Sequence, residues 1–114
     1  MKRLLLVALF ALAGCHGSAP PRWTHADSER AIREVFAPYG PLLTQQAMNI
    51  ARCESGLNAY AVNGQYRGLF QLGSNYDHTI RFYGGDVWNP WTSSKVARDS
   101  RIQRGNWSAF ECRP

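Results

Sequence analysis

The sequence predicts a mainly helical α+β domain interrupted by one small β-hairpin or loop insertion. Three observations carry this. Two stretches place apolar residues at helical spacing, and two further segments are bounded by helix start and stop signals. Between the second and third helical segments, Asn63-Gly64 separates Tyr60-Ala61-Val62 from Tyr66-Arg67-Gly68-Leu69-Phe70, a tight-turn signature between strand-like runs. Gly and Pro punctuate the chain at the expected boundaries.

The elements follow in order. Asp27 or Thr24 can cap a first helix running to about Ala37, with Ile32, Val35 and Phe36 inward, before Pro38 and Gly40 break it. Pro41 suits the first turn of a second helix. Its apolar positions are Leu43, Ala47, Ile50 and Ala51, and Gly56 ends it. The Asn58–Leu72 stretch reads as an irregular hairpin or loop rather than a full sheet. Ser74 to Tyr83 reads as a short helix stopped by Gly84-Gly85. Asn89-Pro90 pairs a capping residue with Pro at the first helical position, opening a last helix to about Arg104. Trp107, Phe110 and Cys112 are expected to fold back on the core.

Ahead of this domain stands an export segment. Lys2 and Arg3 precede ten apolar residues, Leu4 to Ala13, too few for the ~20 that span a bilayer. The run ends in Leu12-Ala13-Gly14-Cys15, a lipobox pattern in which Cys15 takes the lipid. The expected division is a lipoprotein signal peptide at 1–14, a Pro-containing tether at 15–22 and a folded domain at 23–114. The protein is therefore expected in the cell envelope, held to a membrane by its lipid anchor. His16 is not the Asp that commonly retains lipoproteins at the inner membrane, so in a two-membrane cell the outer membrane is expected.

Of thirteen basic residues, Lys2 and Arg3 leave with the signal; eleven remain against eight acidic ones, about +3. The arginines are scattered singly, and with export this argues against nucleic acid as a partner. A mildly basic surface suits an anionic polymer. With Cys15 lipidated, Cys53 and Cys112 form an even pair in an exported chain, which reads as a disulfide. The His residues at 16, 25 and 78 show no metal-ligand spacing, so neither metal nor cofactor is expected.

Glu54 carries the chemical interest. It follows Ile50 by four residues, Ala47 by seven and Leu43 by eleven, on the apolar face and in the last turn of the second helix. A carboxyl group there loses hydration and meets the negative helix end, both of which favour the protonated acid. Cleavage of a glycosidic bond needs such an acid to protonate the leaving oxygen. Periodicity alone favours the plainer reading, a helix-end Glu that reaches solvent.

The neighbouring residues add a resemblance. Ala51-Arg52-Cys53-Glu54-Ser55-Gly56-Leu57-Asn58, then Ala61-Val62-Asn63 and Gly68-Leu69-Phe70-Gln71, resemble the signature of the soluble lytic transglycosylase and goose-type lysozyme superfamily. The segment from Asn89-Pro90 to Cys112 is similar to the end of short members such as the resuscitation-promoting factors, which also place a Cys before the catalytic Glu and another near the C-terminus. The resemblance covers about Met48 to Cys112. It implies a lysozyme-like fold and peptidoglycan glycan strands as partner; a monomer is expected. It further implies Glu54 as the acid/base, Ser55 ordering the site, Gly68 allowing close backbone approach to the sugar, and Gln71 lining the cleft. Asn63 matches a position that is often small and polar.

The pattern also departs from that family. After Asn89-Pro90 the family usually supplies an Asn about three residues on, where this chain has Ser93 and Ser94. A Tyr that holds the Glu is missing between Lys95 and Arg104, leaving Tyr66, Tyr76 or Tyr83 as substitutes. Tyr76, Tyr83, Trp88 and Trp91 can stack on sugar rings or serve the core. Asp77, Asp86 and Asp99 are the candidate second carboxylates, and none lies in a motif tied to Glu54. The resemblance therefore implies a single-acid lytic transglycosylase; lysozyme-type hydrolysis and non-catalytic wall binding are the alternatives.

Overall fold

The computed structural model describes residues 22–114. The signal segment, Cys15 and most of the tether lie outside the described residues. The described part is mainly helical with one two-stranded antiparallel sheet, as the sequence predicts.

Helix α1 (His25–Phe36) starts at Thr24, whose hydroxyl accepts the Asp27 N–H while the Asp27 carboxylate accepts the Thr24 N–H. This reciprocal capping box resolves the choice between the two residues, because both take part; such a cap is worth about 1 kcal/mol. Ile32, Val35 and Phe36 are buried as expected. A 3₁₀ turn, Ala37–Tyr39, carries the chain to α2 (Pro41–Ser55). Gly56 ends α2 in the left-handed conformation, its N–H bonding Arg52 O at 2.9 Å.

Strands β1 (Val62–Asn63) and β2 (Tyr66–Arg67) pair Val62 with Arg67 and Asn63 with Tyr66. The turn therefore centres on Gly64-Gln65, one residue later than the Asn63-Gly64 pair suggests. Gly64 has φ +61 while Gln65 stays out of the left-handed region, the type II′ pattern with Gly in its first central position. The expected helix from Ser74 divides into a 3₁₀ turn, Ser74–Tyr76, and α3 (Asp77–Phe82). Last comes α4 (Pro90–Arg104), where Asn89 Oδ1 accepts the Trp91 N–H and Gly105 closes the helix.

Helix α1 packs on both α2 and α4, and α3 packs on α4. Their shared core holds Phe36, Ile50, Leu69, Phe70, Leu72 and Val96, all fully buried. The C-terminal tail, Gly105 onward, closes that core. Trp107 and Phe110 are buried, their rings 5.7 Å apart, and each meets a core Phe at 6.0 Å: Phe36 for Trp107, Phe70 for Phe110. Trp107 Nε1 donates to Gln46 Oε1 at 2.9 Å, so its polar atom is satisfied. The expected disulfide, Cys53–Cys112, spans a Cα–Cα distance of 6.0 Å. Among the described residues no helix is long and apolar enough to cross a membrane.

Candidate active site

A cleft of about 260 Å³ opens between the end of α2, the hairpin, the 3₁₀ turn and the tail. It collects four of the residues singled out in the sequence: Glu54, Asn63, Gln71 and Tyr76. Tyr66, Asn75, Arg104 and Glu111 complete its polar lining, with Phe110 and Ala109 beneath.

Glu54 reaches this cleft from the last turn of α2. Helical spacing places it beside the buried Ile50 and Ala51, yet it is half-buried rather than enclosed, because the cleft opens over it. Its Oε2 accepts the backbone N–H of Cys112 at 3.0 Å. That contact follows from the covalent link next door. The disulfide fixes Cys53 to Cys112, and the aromatic anchors Trp107 and Phe110 fix the rest of the tail. The Cys112 amide is thereby presented to the residue after Cys53.

This arrangement answers the question of which Tyr holds Glu54. None of the three candidates does so. Tyr76 Oη pairs with Ser100 Oγ at 3.0 Å, and the Tyr83 hydroxyl donates to Asp99. That bond to Asp99 pushes the Tyr83 hydroxyl above its ordinary pKa. Tyr66 lines the cleft, but no hydrogen bond joins it to Glu54 among the described residues. A main-chain amide fills the role instead. The spacing of Cys53 and Cys112 was the only sequence signal that pointed toward it.

Ser55 does not line the cleft. Its hydroxyl lies 2.7 Å from Leu69 O and 3.1 Å from Ala51 O, so its single proton ties the end of α2 to the Gly68-Leu69-Phe70-Gln71 segment. The same segment is held from the other side, where Ser93 Oγ accepts the Phe70 N–H at 3.3 Å. Ser93 is one of the residues standing where the resemblance leads one to expect Asn. Its small buried hydroxyl reaches the main chain directly.

Gly68 requires a correction. The resemblance implies that it lets backbone approach the sugar, but it is buried and absent from the cleft wall. Its φ is +81, and a Cβ there would stand 2.8 Å from the Val87 carbonyl oxygen. Glycine is needed for close approach of protein to protein.

Gln71 lines the cleft with a left-handed backbone, φ +54, which costs a non-glycine residue about 1–2 kcal/mol. Its Nε2 donates to Ala61 O at 3.2 Å and Gly68 O at 3.1 Å. The amide thus clamps the hairpin base and leaves Oε1 as an acceptor.

The three candidate second carboxylates are engaged elsewhere. Asp77 Oδ1 pairs with Arg67 at 2.8 Å, Asp86 accepts the Trp88 N–H, and Asp99 is bound by Arg98 and Tyr83. Glu111, which carried no sequence signal, does line the cleft. Trp88 and Trp91 lie away from it: Trp88 stacks near Tyr60, and Trp91 packs with Trp23 and donates to Glu34. Among the described residues no three His, Cys, Asp or Glu side chains converge as a metal site. Comparison with family models, curated proteins and solved structures finds no match for the chain.

Proposed function

We propose that this chain cleaves peptidoglycan glycan strands at the β-1,4 bond between N-acetylmuramic acid and N-acetylglucosamine, with Glu54 as the acid. The single observation that carries this is a carboxyl group at the rim of a polar cleft, fixed by a main-chain N–H and faced by Asn63, Gln71 and Tyr76. The Glu-Ser and Gly-Leu-Phe-Gln pattern supplies the substrate class. In this reading Glu54 protonates the leaving oxygen, and the muramic N-acetyl group stabilises the cation that develops. On the lytic branch the deprotonated Glu54 then takes the proton of the C6 hydroxyl as that oxygen closes on C1, giving a 1,6-anhydro end. Engagement of Asp77, Asp86 and Asp99 elsewhere argues against each of them as a second carboxylate.

Hydrolysis is the second reading, and one observation favours it: Glu111 lines the same cleft. Export and anchoring through Cys15 belong to the same proposal and would place the cleft beside the wall. Mass spectrometry of muropeptides released from purified cell wall by the full chain tests the reading. Cleaved glycan ends are expected; intact strands that retain bound protein would instead mark a wall-binding module.

A further inference from the structure

Glu111 sits in the cleft with a side chain that no element of the fold employs. It is exposed, and among the described residues its carboxylate has neither a hydrogen-bond donor nor an ion-pair partner. Every other acidic candidate weighed for a second role is already bound to a neighbour. Only Arg104 brings a formal positive charge to the same lining.

Its distance from Glu54 is bounded by covalent geometry. Glu54 Oε2 is 3.0 Å from Cys112 N, and that nitrogen is bonded to the carbonyl carbon of Glu111. The two intervening bonds, ~1.5 and ~1.3 Å, put the Glu111 Cα within about 5.5 Å of the Glu54 carboxylate. A glutamate side chain extends about 5 Å further, so the two carboxylates lie within about 10 Å of one another on the lining of one cleft. That ceiling covers the ~5–9.5 Å separations found in glycosidases with two carboxylates, including the wider ones that admit a water.

We infer that Glu111 is the base that activates water at this site, which makes the glycan cleavage proposed above hydrolytic. The inference rests on that cleavage reading and selects its second branch. The step balances within the cleft. Glu54 gives its proton to the glycosidic oxygen as the bond to C1 breaks. Glu111 takes one proton from water as the water oxygen bonds to C1. Glu54 ends ionised and Glu111 protonated, and solvent returns the proton. The tail then contributes two groups to the chemistry, the Cys112 amide that fixes the acid and the Glu111 carboxylate.

Digestion of purified cell wall by the full chain in ¹⁸O-labelled water, read by mass spectrometry, tests this. The expected products are reducing-end muropeptides carrying one ¹⁸O. Glu111→Gln should lower their yield at least ~10²-fold, the scale of losing a general base. It should also shift the remainder toward unlabelled 1,6-anhydro ends, since Glu54 alone still serves ring closure. Glu111→Asp, which keeps the base, should restore part of the labelled product. Only anhydro products from the parent chain would overturn the role of Glu111 while leaving Glu54 as the acid. Parental labelled yield in Glu111→Gln, or equal loss of both products, would likewise overturn it. No cleavage by the parent chain would overturn the cleavage reading and this inference with it.

Discussion

Two parts of the cleft lining are built by different physics. Glu54 comes from a regular helix whose inward face, cap and stop are all local. The part of the lining beside it is the irregular tail, Ala109 to Cys112, which makes no helix or strand of its own. It is placed by two buried aromatics and one disulfide, contacts that join residues far apart in the chain, Phe36 with Trp107, Phe70 with Phe110 and Cys53 with Cys112. The acid's position therefore depends on the least regular part of the described fold. A helix sets where Glu54 starts; the tail sets where its carboxylate rests.

Breaking the tail should therefore have the largest effect. Cys53→Ser with Cys112→Ser opens a loop of 59 residues' separation, which costs about 4 kcal/mol on the chain-entropy model. If the tail also positions Glu54, wall cleavage should fall even at temperatures where circular dichroism shows the variant folded. Full cleavage by the folded variant would mean that Trp107 and Phe110 suffice to hold the wall.

Gly68→Ala sharpens the comparison on the helix side. A left-handed alanine with its Cβ against the Val87 carbonyl should cost about 1–3 kcal/mol, visible as a lower denaturant midpoint. Were Gly68 instead a point of sugar approach, stability would hold and only KM would rise. The smallest expected effect lies far from the cleft. The Thr24 N–H and hydroxyl hold the Asp27 carboxyl below the usual carboxylate range. A depressed carboxylate contributes stability that is complete above its unfolded pKa of ~3.9 and is lost as pH falls through the folded value. Thermal melts of the parent and Asp27→Asn should therefore converge below that range. A constant gap down to the lowest pH would contradict the capping box.

The legible and illegible parts of the molecule divide along the same line. Caps and breakers at Thr24, Gly56, Asn89 and Gly105 were readable because each acts within one helical turn. Burial of Ile32, Ala47 and Ile50 followed from spacing alone. The hairpin was legible in kind, but its centre moved by one residue, since a type II′ turn needs Gly first. Glu54, Asn63 and Gln71, which line the cleft, stand in the motif, whereas Tyr76 is one of several aromatics that the sequence leaves between sugar stacking and the core. Glu111 and the Cys112 amide were not readable: an exposed Glu near a terminus has no periodic signature, and a main-chain N–H has no residue identity. What approaches Gly68 is not legible either, because sequence shows that a glycine is needed without showing its neighbour, here the Val87 carbonyl.

Glu54→Gln tests the central claim most directly. The amide keeps the shape of the carboxyl and its acceptor toward the Cys112 N–H, but it has no proton to give a leaving oxygen. Release of muropeptides from purified wall should fall at least ~10²–10⁴-fold, with the melting temperature and glycan binding nearly unchanged. A Glu54→Gln protein that releases muropeptides at the parental rate would contradict it.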